Sequence, residues 1–232
     1  MNNALDLSFR TGTTHDLRSL AERHYLGNDP FPPERVIVAV ESGVDVGVLA
    51  VSRPTLNGQW RRKLPGFADR ANHVTWINDN VRTISRVIVA IDYRGLGVAT
   101  ALVRQYLLNP LTPITEAIAA MGHVSPFFER AGMTPLGEVR AARDDRLRSA
   151  LSSLGVTPFT LLRLAAIPGL LARSRDVHGA LLRWANDSRA TRALRSTPDD
   201  SLPAIASLAA RRLVCPPRVY AHTTASTLAL AA

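Results

Sequence analysis

The run Arg94-Gly95-Leu96-Gly97-Val98-Ala99 holds the residues best suited to organising a charged chemical group. Neither glycine carries a Cβ, so the main chain can turn sharply there and approach a ligand closely. If a helix starts directly after them, its first N–H groups lack partners and its dipole is positive at that end. Together these features suit a pyrophosphate. A glycine-rich turn alone is a weak signal, because glycines also end strands for steric reasons. The Gly-x-Gly-x-x-Gly order of a dinucleotide-binding turn is not completed here. Six histidines and one cysteine show no close metal-ligand spacing, so no metal site is expected.

The flanks decide what the turn can do. Thr83 to Ile91 is the strongest strand signal, with Ile84, Val87, Ile88, Val89 and Ile91 all β-branched. After the turn, Ala101, Leu102, Val103, Tyr106 and Leu107 recur at helical spacing. The order is strand, glycine turn, helix. Upstream, Arg35 to Val40 and Val44 to Ser52 read as a hairpin around Glu41-Ser42-Gly43. From Arg53 to Asn80 the pattern weakens around the basic cluster Arg61-Arg62-Lys63, and a surface insertion is expected. Downstream, a strand from Ile114 to Ala120 leads to a short helix with Pro126 near its start and Gly132 past its end. Another strand is expected near Met133 to Val139. The remainder reads as helical, through Leu147, Ala150, Leu151 and Leu154 to a stop at Gly155 and Pro158. Further helices are expected over 159–172, 177–194 and 202–213, with a frayed end from Thr223.

At 46% apolar and 20% charged residues, the 232-residue chain has a globular rather than a disordered composition. Cys215 has no partner for an internal disulfide, and Met1 to Arg10 lacks the order of a secretory signal, so a reducing cytoplasm is expected. The run Leu164 to Ala172 is broken by Pro168-Gly169 and falls short of the roughly 20 apolar residues of a membrane span. No membrane association is expected. The net charge of +9 is uneven: residues 140–232 hold 14 basic and 6 acidic side chains, against 14 and 13 before them. Arginines on one face would suit the phosphates of a nucleic acid. The competing reading is genomic base composition, since 27 of the 28 basic residues are Arg.

At Arg94, Gly97 and Ala99 the chain resembles the GNAT superfamily of acyl-coenzyme A N-acyltransferases, whose loop reads Arg or Gln, two residues, Gly, one residue, Gly or Ala. Phe128-Glu129-Arg130-Ala131-Gly132-Met133 resembles the family's later helix and its exit. The likeness is close over Thr83 to Met133 and looser over Arg35 to Val139. It implies an α/β fold of the α+β kind, with a mixed, mainly antiparallel central sheet flanked by helices and a C-terminal helical extension. It further implies acetyl-coenzyme A or another acyl-coenzyme A as donor. The pyrophosphate would lie on Arg94, Gly95, Leu96, Gly97, Val98, Ala99 and Thr100, and the pantetheine arm along Val87 and Val89.

Many members of the family place a tyrosine four residues before the later glycine to protonate the leaving thiolate, and this chain has Phe128 there. The resemblance puts His123 and Ser125 near the thioester. A serine hydroxyl can hydrogen-bond a thiolate and a histidine titrates near neutrality. The alternatives are an N-cap role for Ser125 and a plain loop histidine at 123. His24, beside Tyr25, falls where the family often forms its acceptor wall, and is the third catalytic candidate. His73, Asn78 and Asn80 either line the same pocket or are solvated loop polarity.

Thr55-Leu56-Asn57-Gly58, Ile84-Ser85-Arg86-Val87 and Thr115 to Gly122 give a finer likeness to the GNAT-like module appended to ABC-type ATPases. They also look distantly like the Mom-type acyltransferases of DNA modification. The chain has no Gly-x-x-x-x-Gly-Lys-Ser/Thr, so an ATPase partner would be a separate protein. The expected organisation is an acyl-coenzyme A domain over 1–140 and an Arg-rich helical extension over 141–232. The expected activity is acyl transfer to an amine, with a nucleobase or nucleic-acid-associated acceptor first and a protein or small-molecule amine next. The alternative is a degenerate module that docks on nucleic acid or an ATPase without chemistry, which Phe128 favours.

Overall fold

A computed structural model describes residues 5–21, 32–56, 58–64, 67, 73–165, 175–192 and 201–224. They divide into a sheet unit, which runs to Gly137 and resumes at Arg218, and a helical unit from Glu138 to Pro217.

The sheet unit contains β1 (Leu7–Thr11), α1 (Thr14–Ala21), β2 (Arg35–Glu41), β3 (Val44–Ser52), α2 (His73–Asn80), β4 (Val81–Val89), α3 (Val98–Leu107), β5 (Ile114–Ala119), α4 (Phe127–Arg130), β6 (Thr134–Glu138) and β7 (Arg218–Thr223). The strand order is β1-β2-β3-β4-β5-β7-β6. The registered pairs are antiparallel except for β4–β5, which is parallel. This is the mixed, mainly antiparallel sheet expected.

The β2–β3 hairpin turns on Ser42 at φ 50° and Gly43 at φ 80°, the left-handed pair whose twist matches flanking strands. Side chains alternate across a strand, so β3 feeds two cores. Leu49 and Val51 join Val98, Leu102, Val103 and Tyr106 of α3 on one face, while Val48 and Ala50 meet Leu17 and Leu20 of α1 on the other. With both faces covered, Val46 to Val51 is one continuous apolar run apart from Gly47. Gly47 sits where α3 crosses β3, and a Cβ there would lie 3.0 Å from Val98 Cγ1 and 3.2 Å from Ile88 O. Burial of Leu102 and Tyr106 contributes about 1.5–3 kcal/mol each to holding α3 in place. At its start α1 is capped reciprocally: Thr13 N–H donates to Asp16 Oδ2 at 2.7 Å and Asp16 N–H to Thr13 Oγ1 at 3.4 Å.

Several elements differ from the sequence reading. β1 and α1 have no counterpart in it. β4 begins two residues earlier than expected and ends at Val89, with Ile91–Tyr93 forming a 3₁₀ turn. The stretch read as a surface insertion contains α2 and a 3₁₀ turn at Gln59–Lys63, and Arg61 within it is fully buried. Residues 141–232 are not helical throughout, because Arg218–Thr223 pairs antiparallel with the whole of β5.

The helical unit contains α5 (Ala142–Ser153), α6 (Pro158–Ala165), α7 (Arg175–Asn186), α8 (Arg189–Arg192) and α9 (Ser201–Val214). Leu147, Leu151, Leu161, Leu181, Trp184 and Ile205 recur at helical intervals and close a core of their own. The helix expected over 177–194 breaks after Asn186, where Thr191 Oγ1 turns back to donate to Ala185 O at 2.8 Å. No helix among the described residues is long and apolar enough to cross a membrane.

Candidate functional site

β4 serves two neighbours that ask different things of it. On one edge it pairs with β3 from Thr83 to Val89, with a bulge that leaves Ser85 as the extra residue between Arg86 and Ile84. Ser85 Oγ donates to Ala50 O at 3.2 Å and lies 2.9 Å from Ser52 Oγ. On the other edge β4 pairs with β5 only from Val81 to Ile84. Beyond the bulge, Ser85 to Val89 have no strand partner on that side among the described residues. Bulges bend a strand and end its pairing, so the parallel pair opens toward its C-terminal ends. Val87 and Val89 lie on this open stretch, their side chains half-buried against the α3 core.

The glycine turn closes the wide end. Ala90 N–H still donates to Val46 O at 2.9 Å. The chain then bends through the 3₁₀ turn and passes through Gly95 at φ 82° and Gly97 at φ 92°. Gly97 caps α3 without a side-chain hydrogen bond. The first helical bond is Ala101 N–H to Gly97 O at 3.0 Å. The N–H groups of Gly97, Val98, Ala99 and Thr100 therefore have no acceptor among the described residues. Apart from the adjoining residues of the chain, no atom lies within 4 Å of where a Cβ would stand on Gly95 or Gly97. Arg94 folds back to donate from Nε to Val89 O at 3.2 Å, and its side chain is exposed beside the free amides. Unpaired amides, a helix dipole and an arginine on open space form a seat for a phosphate-bearing group. The proposed contacts Val87, Val89 and Arg94 to Thr100 thus follow one another from the open edge of β4 to the start of α3.

Ser125 and His123 lie in the turns after β5, both exposed, with Ser125 N–H donating to Met121 O at 2.9 Å. Both therefore stand beyond the C-terminal end of the parallel pair, where ligands of such sheets gather. The N-cap alternative for Ser125 does not hold: Pro126 occupies the cap of α4 and its carbonyl accepts Arg130 N–H at 3.1 Å. His24 lies outside the described residues. His73 and Asn80 belong to α2, not to a loop. His73 stacks on Phe67 at 5.1 Å, and Asn80 Nδ2 donates to Trp76 O at 2.9 Å. Among the described residues no three His, Cys, Asp or Glu side chains gather as metal ligands.

Phe128 is buried, its ring 4.3 Å from Phe127 and 5.3 Å from Tyr220. The Tyr220 hydroxyl donates inward to Gly122 O at 3.2 Å, and burial raises its pKa above the ordinary tyrosine value, with the Glu129 charge adding to the shift.

One polar network went unread in the sequence. Glu116 of β5 is 1% exposed and accepts Arg61 Nε and Nη2 at 2.9 and 2.6 Å, Trp60 Nε1 at 2.9 Å and Thr83 Oγ1 at 2.8 Å. It ties the 3₁₀ turn of residues 59–63 to the paired half of β4–β5, immediately before the strands part. The signal was the single charge in the strand Ile-Thr-Glu-Ala-Ile-Ala, which cannot be buried without a partner.

No family model matches the chain, and no curated protein matches it. Solved structures do. An aminoglycoside acetyltransferase AAC(6')-Ib in complex with an aminoglycoside and acetyl-coenzyme A is 18% identical, with a TM-score of 0.39, over 59% of this chain and 87% of that one. An aminoglycoside N(6')-acetyltransferase from Legionella pneumophila is 13% identical at a TM-score of 0.38, over 60% and 86% of the two chains. An agmatine N-acetyltransferase is 15% identical at a TM-score of 0.38, over 58% and 86%.

Proposed function

We propose that the sheet unit is a GNAT-type domain that binds an acyl-coenzyme A, acetyl-coenzyme A first, and transfers its acyl group to an amine. The observation that carries this reading is the junction of two features. Four unpartnered amides open α3, and they adjoin a strand edge released from its neighbour at Ser85. The first holds a pyrophosphate, and the second offers strand hydrogen bonds to an amide-bearing pantetheine arm. The donor supplies an activated thioester carbonyl. The chain's own part is to align that carbonyl at the opening, where strand N–H groups beyond the bulge stabilise negative charge developing on its oxygen. Ser125 is the proposed source of a hydrogen bond or proton for the departing sulfur, since Phe128 has none to give; His123 and His24 remain the other candidates.

The acceptor is proposed as an amine. A nucleobase amine, with DNA modification as its setting, rests on the basic excess and the distant Mom-type likeness alone. Arg143, Arg148, Arg212 and Arg218, all counted in that excess, donate to groups of this chain. A separate ATPase partner rests on the finer likeness alone. The catalytically silent module is the second reading, favoured by the buried Phe128. Calorimetry with acetyl-coenzyme A and coenzyme A tests the donor site. Thiol release with primary amines, among them a lysine peptide, agmatine, an aminoglycoside and nucleosides, then separates enzyme from module. Binding without turnover for every amine leaves the module, and no binding removes both readings.

A further inference from the structure

Within the helical unit, α5 and α7 flank an open pocket of about 350 Å³ lined by Arg143, Arg146, Arg183, Asp187, Trp184 and apolar side chains that include Leu147. Arg143 is the anomaly in it. Its side chain is 13% exposed and its guanidinium lies 4.7 Å from the centre of the Trp184 ring. It donates one hydrogen bond, to the neutral Thr191 Oγ1 at 3.0 Å. The nearest carboxylate, Asp144, is 3.7 Å away and already accepts Trp184 Nε1 at 2.7 Å and Arg212 Nη2 at 3.2 Å. Burial, and after it the charge of Arg212, lower the proton affinity of Arg143, while the charges of Asp144 and Asp187 act the other way and only partly offset them. A cation whose one hydrogen bond among the described residues is neutral, and whose carboxylate neighbour is shared with Arg212, gains from a further anion.

Two more arginines face the same space. Arg146 stands one turn further along α5 and pairs with Asp187 at 2.7 Å, an exposed contact of small worth. Arg183 on α7 is exposed and makes no hydrogen bond or ion pair among the described residues. The negative end of α7 is no obstacle, because Ala185 O accepts Thr191 Oγ1 at 2.8 Å and Asn186 O accepts Arg192 Nη2 at 2.9 Å.

We propose that this pocket binds a phosphate dianion between Arg143, Arg146 and Arg183, either free or as the terminal phosphate of a small monoester. Three guanidinium groups and the Asp187 carboxylate leave two positive charges, which a dianion balances and a carboxylate ligand does not. The volume admits a phosphate with a small organic remainder against Leu147. On binding, Arg146 exchanges Asp187 for the ligand. The site lies wholly in the helical unit and does not rest on the acyl-coenzyme A reading.

The test is calorimetry on the full chain at low salt with inorganic phosphate, glycerol phosphate and a short single-stranded oligonucleotide. Phosphate and glycerol phosphate are expected to bind, and tighter binding of the latter marks a monoester as the source. Arg183→Gln weakens both roughly tenfold or more, as loss of a charge-assisted contact does. Asp187→Asn strengthens both several-fold by freeing Arg146. Arg143→Gln abolishes binding, with circular dichroism to check folding, and the exposed Arg183 keeps the test decisive if that variant does not fold. Coenzyme A affinity stays unchanged in Arg183→Gln, so failure here is distinct from failure of the donor site. The proposal is overturned if neither phosphate binds, if the oligonucleotide alone binds, or if Arg183→Gln and Asp187→Asn leave both affinities within twofold of wild type.

Discussion

Gly97 separates what the turn needs for its shape from what it needs for its ligand. Its φ of 92° lies in the left-handed region, so any L side chain costs about 1–2 kcal/mol of backbone strain there. Apart from the adjoining residues of the chain, nothing lies within 4 Å of the Cβ position, so Gly97→Ala adds no clash and its penalty ends with that strain. Gly97→Glu has the same backbone cost but places a carboxylate over the free amides of Gly97 to Thr100. Hydrogen bonds to a charged group contribute about 1.5–3 kcal/mol each, so displacing the pyrophosphate from two amides removes about 3–6 kcal/mol, or roughly 10²- to 10⁴-fold in affinity. The assay is paired: urea unfolding for stability and calorimetry with coenzyme A for affinity. The two variants should be equally destabilised, with Gly97→Ala binding within a few-fold of wild type and Gly97→Glu showing no measurable binding. A folded Gly97→Glu that binds coenzyme A normally refutes the assignment of the turn.

Ser125→Ala should lower turnover about 10- to 1,000-fold with donor affinity near wild type, and an unchanged kcat moves the role to His123 or His24. Glu116→Gln leaves the fully buried Arg61 without a counter-charge and should cost about 3–5 kcal/mol in urea unfolding; a loss under about 1 kcal/mol contradicts the account of that network. The Arg10 guanidinium and the Thr13 N–H hold the Asp16 carboxyl well below the usual carboxylate range. A depressed folded pKa gives stability that is present above the unfolded value of about 3.9 and lost as pH falls below it. Asp16→Asn should therefore be less stable than wild type near neutrality by about 1 kcal/mol or less, Arg10 being two-fifths exposed, and the gap should close in acid. A gap that is constant from neutrality to strong acid would assign the loss to the cap alone.

The elements around the glycine turn were legible because each carries a local signal. A run of β-branched residues marks β4, the two glycines mark the turn, and one apolar stripe marks α3. β7 has no such mark: Tyr220 is buried with Phe128 of α4 on one face and Ala221 with Ile77 of α2 on the other, a pattern set by distant partners. Arg61 carries no local mark for the same reason. In a cluster of three basic residues nothing local distinguishes the one that reaches Glu116, 55 positions away. The free amides of Gly97 to Thr100 follow from chain order, since they are consecutive positions at the start of one helix. Ser125 and His123 are placed only by where β5 ends, and their approach to a substrate depends on side-chain geometry that spacing does not encode.

The opening between β4 and β5 follows from a competition for edges. β5 gives one edge to β7 over its full length, from Ile114 to Ala119. It is also anchored through Glu116 to Arg61 and Trp60, so it cannot swing to follow a bending neighbour. β4 keeps its own long partnership with β3, and satisfying that ladder requires the extra residue at Ser85. Once the bulge turns β4, parallel pairing with β5 stops at Ile84 and the strands part. Neither half-sheet loses an internal hydrogen bond by this, because each strand stays paired on its outer side. The open edge of β4 runs from Ser85 to Val89, where Arg94 Nε already donates to Val89 O, directly before the free amides of α3. Main-chain groups inside a sheet are nearly always partnered, so an edge left open at this point is where the proposed pantetheine arm would find strand hydrogen bonds.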